Sequence, residues 1–197
     1  RQPGIAQWNL ARLAETLLPL IHENPQQAVS KANEKISGFS DTFQHYWLAG
    51  MRGKLGLLNQ EAEDGALMED LLACMHRHRA DYTNTFRDLA SGSLPEATVF
   101  QALDFEQWFE RWQARLKRQP DSWEASRRIM NTHNPAVIPR NQRVEEALEA
   151  AVDRADFTLM EKLLGFLSQP YQDPPEHAGY HLPPPPSAQP YRTFCGT

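Results

Sequence analysis

The sequence predicts an all-α protein, and three observations support that prediction. Apolar residues recur at steps of three and four along most of the chain, which is the spacing of one face of an α-helix. No stretch shows the alternation of apolar and polar residues that a half-buried strand requires. Several periodic stretches also begin with residues that favour a helix start, such as Asn24 followed by Pro25.

Two helices are predicted at the beginning of the chain. The first runs from Pro3, which can occupy the first helical position because an N–H there would have no partner, to about Leu20. The second is predicted as one long helix over residues 25–50, because its apolar residues recur at helical steps. Residues 51–56, with the sequence MRGKLG and its two glycines, predict a break after this helix.

Four shorter helices are predicted in the middle of the chain. They cover residues 61–79, residues 81–89, a stretch that Asp104 can cap, and a stretch that ends near Asn131. In the second of them, Asp81 is interpreted as a helix cap and Asp88 as a surface charge. The last of these begins at residues 121–124, where the sequence DSWE resembles a capping box with Asp in place of Ser or Thr.

Residues 134–141, with the sequence NPAVIPRN, divide the chain into two helical halves. The two prolines cannot continue a helix, so we predict an ordered, extended connector that ends at Asn141, a suitable N-cap. After it, the apolar pattern predicts a helical hairpin whose second helix starts with a capping box at Thr158.

The end of the chain differs in composition from the rest, because eight of the 15 prolines lie between Pro170 and Pro190. Pro183 to Pro186 favour the polyproline II conformation. The predicted organisation is therefore a helical region, an extended connector, a helical hairpin and a proline-rich tail that carries a terminal cysteine, with the respective bounds 1–133, 134–141, 142–168 and 169–197.

Composition argues against several classes of protein. The 20 basic and 25 acidic residues give a net charge of −5, which argues against a nucleic-acid partner held by a general positive field. No apolar run approaches the ~18–20 residues of a membrane span, and no signal peptide is recognisable. Two cysteines are too few for a disulfide framework, so we expect a reducing compartment. Because the chain begins with Arg1 and enters a helix at once, we expect it to be the C-terminal fragment of a longer protein.

Three groups of residues invite a functional role, but a structural role is favoured for each. An aromatic stripe could stack on bases, yet its spacing is that of a buried helical face; it comprises Phe105, Trp108, Phe109 and Trp112. Arg140 and Arg192 stand in irregular segments and could contact an anion, although pairing with carboxylates of neighbouring helices is favoured. A group of acids spread along the start of the helix predicted over residues 61–79 could form paired carboxylates, but solvation and the helix dipole explain them better; they are Glu61, Glu63, Asp64, Glu69 and Asp70.

A cysteine and two histidines, Cys74, His76 and His78, resemble a metal cluster. Residues two apart on a helix point about 200° away from each other, so the three cannot share one ion. Cys74 and His78 lie four apart and could share one, but two ligands do not make a site, and a buried thiol beside surface histidines is favoured.

No stretch indicates a reaction by its chemistry alone. The glycines are scattered and form no phosphate-binding loop, and neither G-x-S-x-G nor H-E-x-x-H occurs. We therefore predict no catalytic, cofactor-binding or metal-binding residue in this chain. Cys195, the third residue from the end, is the one site residue that we single out, because a thiol at an exposed terminus is accessible to redox chemistry; an idle thiol is the equal alternative.

Five segments, in order along the chain, resemble the C-terminal part of the selenoprotein O family. They are residues 2–15, residues 51–57 (MRGKLGL), residues 81–87 (DYTNTFR), residues 134–141 (NPAVIPRN), and residues 182–186 (LPPPP) followed by residues 191–195 (YRTFC). The resemblance implies a pseudokinase with a protein-kinase-like fold, of which this chain would be the helical C-lobe region. It also implies transfer of AMP from ATP to Ser, Thr or Tyr hydroxyls of protein substrates, with Mg²⁺ or Mn²⁺.

The same resemblance implies that the nucleotide site lies in a missing N-terminal catalytic lobe. The family's glycine-rich loop and its ATP-contacting, catalytic and metal-binding residues all precede the segment that begins here, so none is carried over. Cys195 matches the family's C-terminal cysteine, which in bacterial relatives can bond to a cysteine near the activation segment. Because the chain ends in CGT without selenocysteine, it resembles a bacterial form and we expect it in the cytoplasm.

Two hypotheses follow from these observations. The first is a fragment of a protein adenylyltransferase that is inactive alone, with helices that support the catalytic lobe and a redox-sensitive tail. The second is a free-standing helical module whose polyproline segment recruits a protein partner.

Overall fold

The computed structural model describes residues 2–92, 98–172 and 179–183, and in these ranges helices are joined by short loops. No strand occurs in the three ranges, so the all-α prediction is confirmed. The helices there are α1 (Gln2–Ile21), α2 (Pro25–Ser37), α3 (Phe39–Leu55), α4 (Asp64–Arg77), α5 (Tyr82–Ser91), α6 (Leu103–Arg118), α7 (Trp123–His133), α8 (Asn141–Arg154) and α9 (Thr158–Leu167), with a short 3₁₀ turn, Thr98–Gln101, before α6.

The hydrophobic core lies among α3 to α7. Helix α3 packs against α7, α4 packs against α6, and α5 packs against α7. The aromatic stripe of α6 stands in this core: Phe105, Trp108 and Trp112 are buried, and Phe109 is partly buried against them. The prediction that these aromatics pack in a core is therefore confirmed.

The two indoles of α6 also fix its position through hydrogen bonds. Trp108 Nε1 donates to the carbonyl oxygen of Leu67 at 2.7 Å, and Trp112 Nε1 donates to the carbonyl oxygen of Leu55 at 2.9 Å. A buried indole N–H needs such a partner, because leaving it unpaired costs free energy. Helix α6 is thereby joined to α4 and to the end of α3.

A buried ion pair joins the other end of α6 to the start of α4. Arg115 Nε donates to Asp64 Oδ1 at 2.7 Å, and the two side chains are only 2% and 1% exposed. Arg115 Nη2 donates to the carbonyl oxygen of Asn59 at 2.9 Å, while Nη1 lies 3.1 Å from Glu61 Oε1 without the alignment of a hydrogen bond. The expectation that Asp64 is solvated is wrong, because Arg115 of the facing helix covers it.

The helix predicted over residues 25–50 is two helices, α2 and α3, which meet at Gly38. Gly38 has φ −75° and ψ −5°, and its N–H donates to the carbonyl oxygen of Ile36, which tightens the turn. The apolar residues keep a helical spacing across this bend, so their periodicity does not reveal it. The break predicted at residues 51–56 is also wrong, because α3 continues to Leu55.

Glycines near the end of α3 allow it to lie close to α7. A Cβ atom at Gly53 would lie 2.4 Å from Cδ2 of His133, so only glycine permits this separation. Gly56 then ends the helix in the left-handed conformation, with φ +70°, and its N–H donates to the carbonyl oxygens of Arg52 and Gly53.

Two of the predicted helix caps are confirmed. Asn24 Oδ1 accepts a hydrogen bond from Gln27 N–H at 3.1 Å, and Asp81 Oδ1 accepts one from Asn84 N–H at 2.8 Å. The other starts differ by one or two residues from the prediction: the residues in the cap positions are Ala102, Ser122, Arg140 and Phe157. Asp104, Asn141 and Thr158 therefore lie inside the first turns of their helices, where a short polar side chain is also accommodated.

The connector is ordered and non-helical over residues 135–140, as predicted. Ala136 N–H and Val137 N–H both donate to the carbonyl oxygen of Pro170, at 2.7 Å and 3.2 Å. Helices α8 and α9 pack against each other between these two points. The division of the chain into four parts stays a prediction.

Helix α1 differs from the other helices in its exposure. It packs against α2 and α3, yet none of its described residues is buried. Its exposed large apolar side chains are Ile5, Trp8, Leu10, Leu13, Leu17 and Leu20. Within the described ranges, no helix combines the length and the apolar content that crossing a bilayer would require.

Candidate functional site

Segments that are far apart in sequence meet where the connector crosses the ends of α3, α5 and α7. We call this place the polar junction and define it by Lys54, Asp81, Asn84, Asn134 and Arg140. The segments MRGKLGL, DYTNTFR and NPAVIPRN, which stood out in the sequence, each contribute to it. Residues 179–183 lie against the same place through the carbonyl oxygen of His181.

Arg140 is the centre of the junction, and its side chain is only 9% exposed. Its Nη1 and Nη2 donate to the two carboxylate oxygens of Asp81 at 2.7 Å and 3.1 Å, a bidentate pair that is strong and geometrically specific. Nη2 also donates to Asn84 Oδ1 at 3.1 Å and to the carbonyl oxygen of His181 at 2.8 Å. The interpretation that Arg140 pairs with a carboxylate of a neighbouring helix fits this geometry.

Asp81 has two roles in the junction, since it binds Arg140 and caps α5. Burial works against its ionisation, but the hydrogen bonds from Arg140 and from the N–H groups of Asn84 and Thr83, with the charge of Arg140, hold the pKa of Asp81 below its ordinary value. Two helix turns later, burial raises the pKa of Asp88 to about 6, opposed by the nearby charge of His181. Asp88 is therefore not the simple surface charge that the sequence suggested.

Lys54 and Asn134 join the ends of α3 and α7. Lys54 Nζ donates to the carbonyl oxygen of His133 at 3.0 Å and to Asn134 Oδ1 at 3.2 Å, while Asn134 Nδ2 donates back to the carbonyl oxygen of Lys54 at 2.9 Å. The ammonium group also lies 5.1 Å from the ring centroid of Phe86, within the range of a cation–π contact. Partial burial lowers the pKa of Lys54 below its ordinary value.

The chemistry of the junction is that of a structural joint. Its two cations already face carboxylate, amide and carbonyl oxygens of the chain itself, so a phosphate would have to displace these partners. Such a charged network, once assembled in a partly buried place, fixes the relative positions of the elements that supply it. We interpret the junction as the feature that holds the connector against α3, α5 and α7.

A second cluster lies where the end of α4 meets the start of α6. Cys74, His78 and Asp104 bring one ligand atom each to within 4.8 Å of one another. His78 Nε2 lies 2.9 Å from Asp104 Oδ1, and Arg77 also pairs with the Asp104 carboxylate. Burial raises the pKa of the Cys74 thiol to about 11, aided by the charge of Asp104 and its hydrogen bond and opposed by Arg77. This Asp104 partner was missed from sequence, where only the i, i+4 pair Cys74 and His78 was visible.

The described residues do not fit the metal ion that would accompany ATP. Mg²⁺ and Mn²⁺ prefer carboxylate and carbonyl oxygens as ligands. The Cys74, His78 and Asp104 cluster, which is the group of three metal-ligating side chains found among the described residues, contains a thiol and a single carboxylate. This donor set does not match the ligands that a nucleotide-bound Mg²⁺ or Mn²⁺ prefers.

Several residues singled out from sequence lie outside the described ranges. They include Cys195, Arg192 and Pro184 to Pro186. The redox role of Cys195 and the polyproline II conformation of the tail stay predictions. His76, in contrast, is described and exposed, on the same helix as Cys74.

Comparison with known proteins identifies the family. The model of the family described as "Protein adenylyltransferase SelO" matches residues 1–168. The chain is 57% identical over 197 residues to the protein nucleotidyltransferase YdiU of Syntrophotalea carbinolica, and 54% identical over 196 residues to that of Alkaliphilus metalliredigens. Each alignment covers all of this chain and 40% of the relative, so the chain spans about two fifths of the length of the curated relatives it matches. Because the family model matches most of the chain, this protein belongs to the SelO family.

Proposed function

We propose that this chain is the C-terminal helical part of a protein adenylyltransferase. In the whole protein, AMP would pass from ATP to Ser, Thr or Tyr hydroxyls of protein substrates, with Mg²⁺ or Mn²⁺ bound to residues that precede this chain. The observation that carries the proposal is that the family match covers residues 1–168, while the chain spans only 40% of its relatives. The helices would then form part of a kinase-like C-lobe in the cytoplasm.

The exposure of α1 supports this assignment. Leu13 and Leu17 lie one helix turn apart, and they are 54% and 39% exposed. Large apolar side chains that line up on an exposed helix face indicate a surface that another element covers. We assign the preceding catalytic lobe as that element.

The polar junction and the buried pair of Arg115 with Asp64 support a scaffolding role. Both fix the relative positions of helices by charged hydrogen bonds, and the side chains of Arg115 and Arg140 are only 2% and 9% exposed, which withholds them from a substrate. Transfer of a nucleotidyl group depends on precise positioning of phosphates, metal and acceptor. A rigid helical support for that lobe is the contribution that this geometry fits.

Cys195 is proposed as a redox-sensitive thiol of the whole protein. Two thiols that form a disulfide lose two protons and two electrons to an oxidant such as hydrogen peroxide. The partner cysteine would lie in the part of the protein that precedes this chain. Mass spectrometry of the peroxide-treated whole protein should find this cross-link, and Cys195→Ser should abolish it.

A chimera tests the proposed function. This chain replaces the matching 40% of the Syntrophotalea carbinolica relative, and the product is incubated with labelled ATP, Mn²⁺ and acceptor proteins. We expect AMP transfer by the chimera and none by this chain alone, because the nucleotide site would lie in the relative's own part. A double change, Leu13→Glu with Leu17→Glu, should reduce the transfer by disrupting the covered face of α1. Val152→Glu, at an exposed apolar position on α8, is the matched control.

Two outcomes would contradict the proposal. A folded chimera without AMP transfer would mean that this chain does not supply the C-terminal part of an adenylyltransferase, and would favour the free-standing interaction module instead. AMP transfer or tight ATP binding by this chain alone would mean that the nucleotide site lies within it.

A further inference from the structure

The cluster at the junction of α4 and α6 has no part in the function proposed above. Cys74 and His78 stand one turn apart at the end of α4, so their side chains lie on the same helix face. Asp104, in the first turn of α6, completes the group from 26 residues away, and the three ligand atoms lie within 4.8 Å of one another. We propose that Cys74, His78 and Asp104 form a zinc-binding site that fastens α4 to α6.

The donor set fits zinc better than the other common metal ions of proteins. Zinc binds thiolate, imidazole and carboxylate ligands in tetrahedral geometry, with ligand atoms about 3.3–3.6 Å apart. His78 Nε2 lies 2.9 Å from one carboxylate oxygen of Asp104 and 3.2 Å from the other, so movements of about an ångström convert the cluster into a tetrahedral site. Magnesium and calcium prefer oxygen ligands alone, so the thiol disfavours them.

The cluster is accessible to an ion from solvent. Cys74 and Asp104 line a surface pocket, whose wall also carries Arg77, Glu110 and the ion pair of Asp70 with Arg111. Three protein ligands leave the fourth tetrahedral position to a water molecule from this pocket. The site therefore has an entry path and an open position on one side.

The local electrostatics favour a cation at this place. The C-terminal end of α4, near Arg77 and His78, carries the partial negative charge of the helix dipole. Two cations line the same pocket: Arg111 already pairs with Asp70, and Arg77 pairs with Asp104, but the Arg77 side chain is 63% exposed. Arg77 can turn into solvent when an ion binds, because an exposed ion pair contributes little free energy.

Zinc binding would exchange a proton of the protein for the metal ion. The thiol of Cys74, which donates a hydrogen bond to Asp104, loses its proton to solvent, and a bond from the sulfur to zinc replaces it. In the neutral imidazole of His78, the proton moves to Nδ1 so that Nε2 is free to bind the ion. One carboxylate oxygen of Asp104 forms the third bond.

The test uses the full 197-residue chain in a Cys195→Ser background, purified without a polyhistidine tag. This background leaves Cys74 as the only cysteine, since the sequence contains two. We expect one equivalent of zinc by calorimetry and, with Co²⁺, the absorption band of a thiolate-to-cobalt charge transfer. Cys74→Ala, His78→Gln and Asp104→Asn should each abolish stoichiometric binding or weaken it at least tenfold, with helical content verified by circular dichroism.

The matched control is His76→Gln, an exposed histidine two residues from both Cys74 and His78 on the same helix; it should bind zinc as the background protein does. A second measurement needs no ligand variant: zinc should slow alkylation of Cys74 by iodoacetamide at least tenfold. Absence of stoichiometric binding, binding that survives Cys74→Ala, or an unchanged alkylation rate would each overturn the proposal.

Discussion

Helices α1 and α6 both have apolar and aromatic residues at helical spacing, yet their surroundings are opposite. In α6, Trp108 and Trp112 are almost fully buried, and each indole N–H donates to a backbone carbonyl oxygen. In α1, Trp8 is 60% exposed and no described residue of the helix is buried. The same sequence signal thus gives a core helix in one place and an exposed face in the other.

The difference shows that periodicity predicts a face of a helix but not what covers it. Helix α6 packs against α4, which has its own apolar stripe and acceptor carbonyl groups. Helix α1 packs against α2 and α3 on one side only, and the SelO-family relatives are much longer than this chain. The uncovered stripe of α1 is for this reason the surface on which we propose that the preceding lobe packs.

The largest expected contrast is between two tryptophans. Trp108→Ala removes a buried aromatic ring and leaves the Leu67 carbonyl oxygen without its donor, so it should lower the free energy of unfolding by about 3–5 kcal/mol. Trp8→Ala, on the exposed face of α1, should change it by less than about 0.5 kcal/mol in this chain. Urea unfolding followed by circular dichroism measures both values, and equal losses would mean that α1 is as well packed as α6.

The next contrast concerns two aspartates of the same helix, α4. Asp64→Ala leaves Arg115 buried without its main partner and should cost about 3 kcal/mol, the lower part of the usual range because Glu61 stays nearby. Asp70→Ala breaks the half-exposed pair with Arg111 and should cost about 0–1 kcal/mol. Comparable losses in chemical unfolding would contradict the burial of the Asp64 pair.

A third, smaller effect depends on pH and lies in the polar junction. Asp81→Asn keeps a capping side chain for α5 but removes the charge that faces Arg140, which should cost about 2 kcal/mol at neutral pH. Because the pKa of Asp81 is lowered in the folded protein, its contribution is present above the ordinary pKa of about 4 and is lost as the pH falls through the lower, folded value.

The measurement is the free energy of unfolding from pH 7 down to pH 3. The wild-type chain should lose more stability on acidification than Asp81→Asn, so the two curves should converge at low pH. Parallel curves over this range would show that the Asp81 carboxylate is not held ionised by Arg140.

The smallest expected effects are at two glycines of α3. Gly56→Ala should destabilise by about 1 kcal/mol, because φ is +70° and the new Cβ would lie 3.0 Å from Met130 Sδ. Gly50→Ala, at an exposed helical position with no atom within 4 Å of the new Cβ, should stabilise by about 0.5–1 kcal/mol. Thermal melting of both variants should give shifts of opposite sign, and shifts of the same sign would exclude the left-handed end of α3.

Local features of the fold could be predicted from sequence, and long-range ones could not. The aromatic stripe of α6 and the caps Asn24 and Asp81 follow from residues close together in the chain. The bend at Gly38 was missed, because the apolar spacing continues across it and only the different neighbours of α2 and α3 distinguish them. The prediction that Asp64 is solvated is wrong because its partner Arg115 lies 51 residues away, so no local pattern reveals the pair.

The candidate sites were likewise predictable only as far as their residues lie close together in the sequence. From sequence, Cys74 and His78 are a pair without a third ligand, and Asp104 is predicted to cap a helix. Asp104 belongs to a different helix and lies 26 residues from His78 along the chain, so no local pattern indicates that the three side chains meet. The polar junction was foreseen only in part, since the pairing of Arg140 with a carboxylate was favoured but Asp81 was not identified as that carboxylate.

Because Ala136 and Val137 both hydrogen-bond to Pro170, the segment that contains α8 and α9 begins and ends at the same place on the protein. The backbone leaves the body of the protein and returns to the same spot some 30 residues later. If α8 and α9 were lengthened, shortened or replaced, these hydrogen bonds would still hold the two ends of the segment together. The length and sequence of the α8–α9 segment can therefore change while the preceding helices keep their packing.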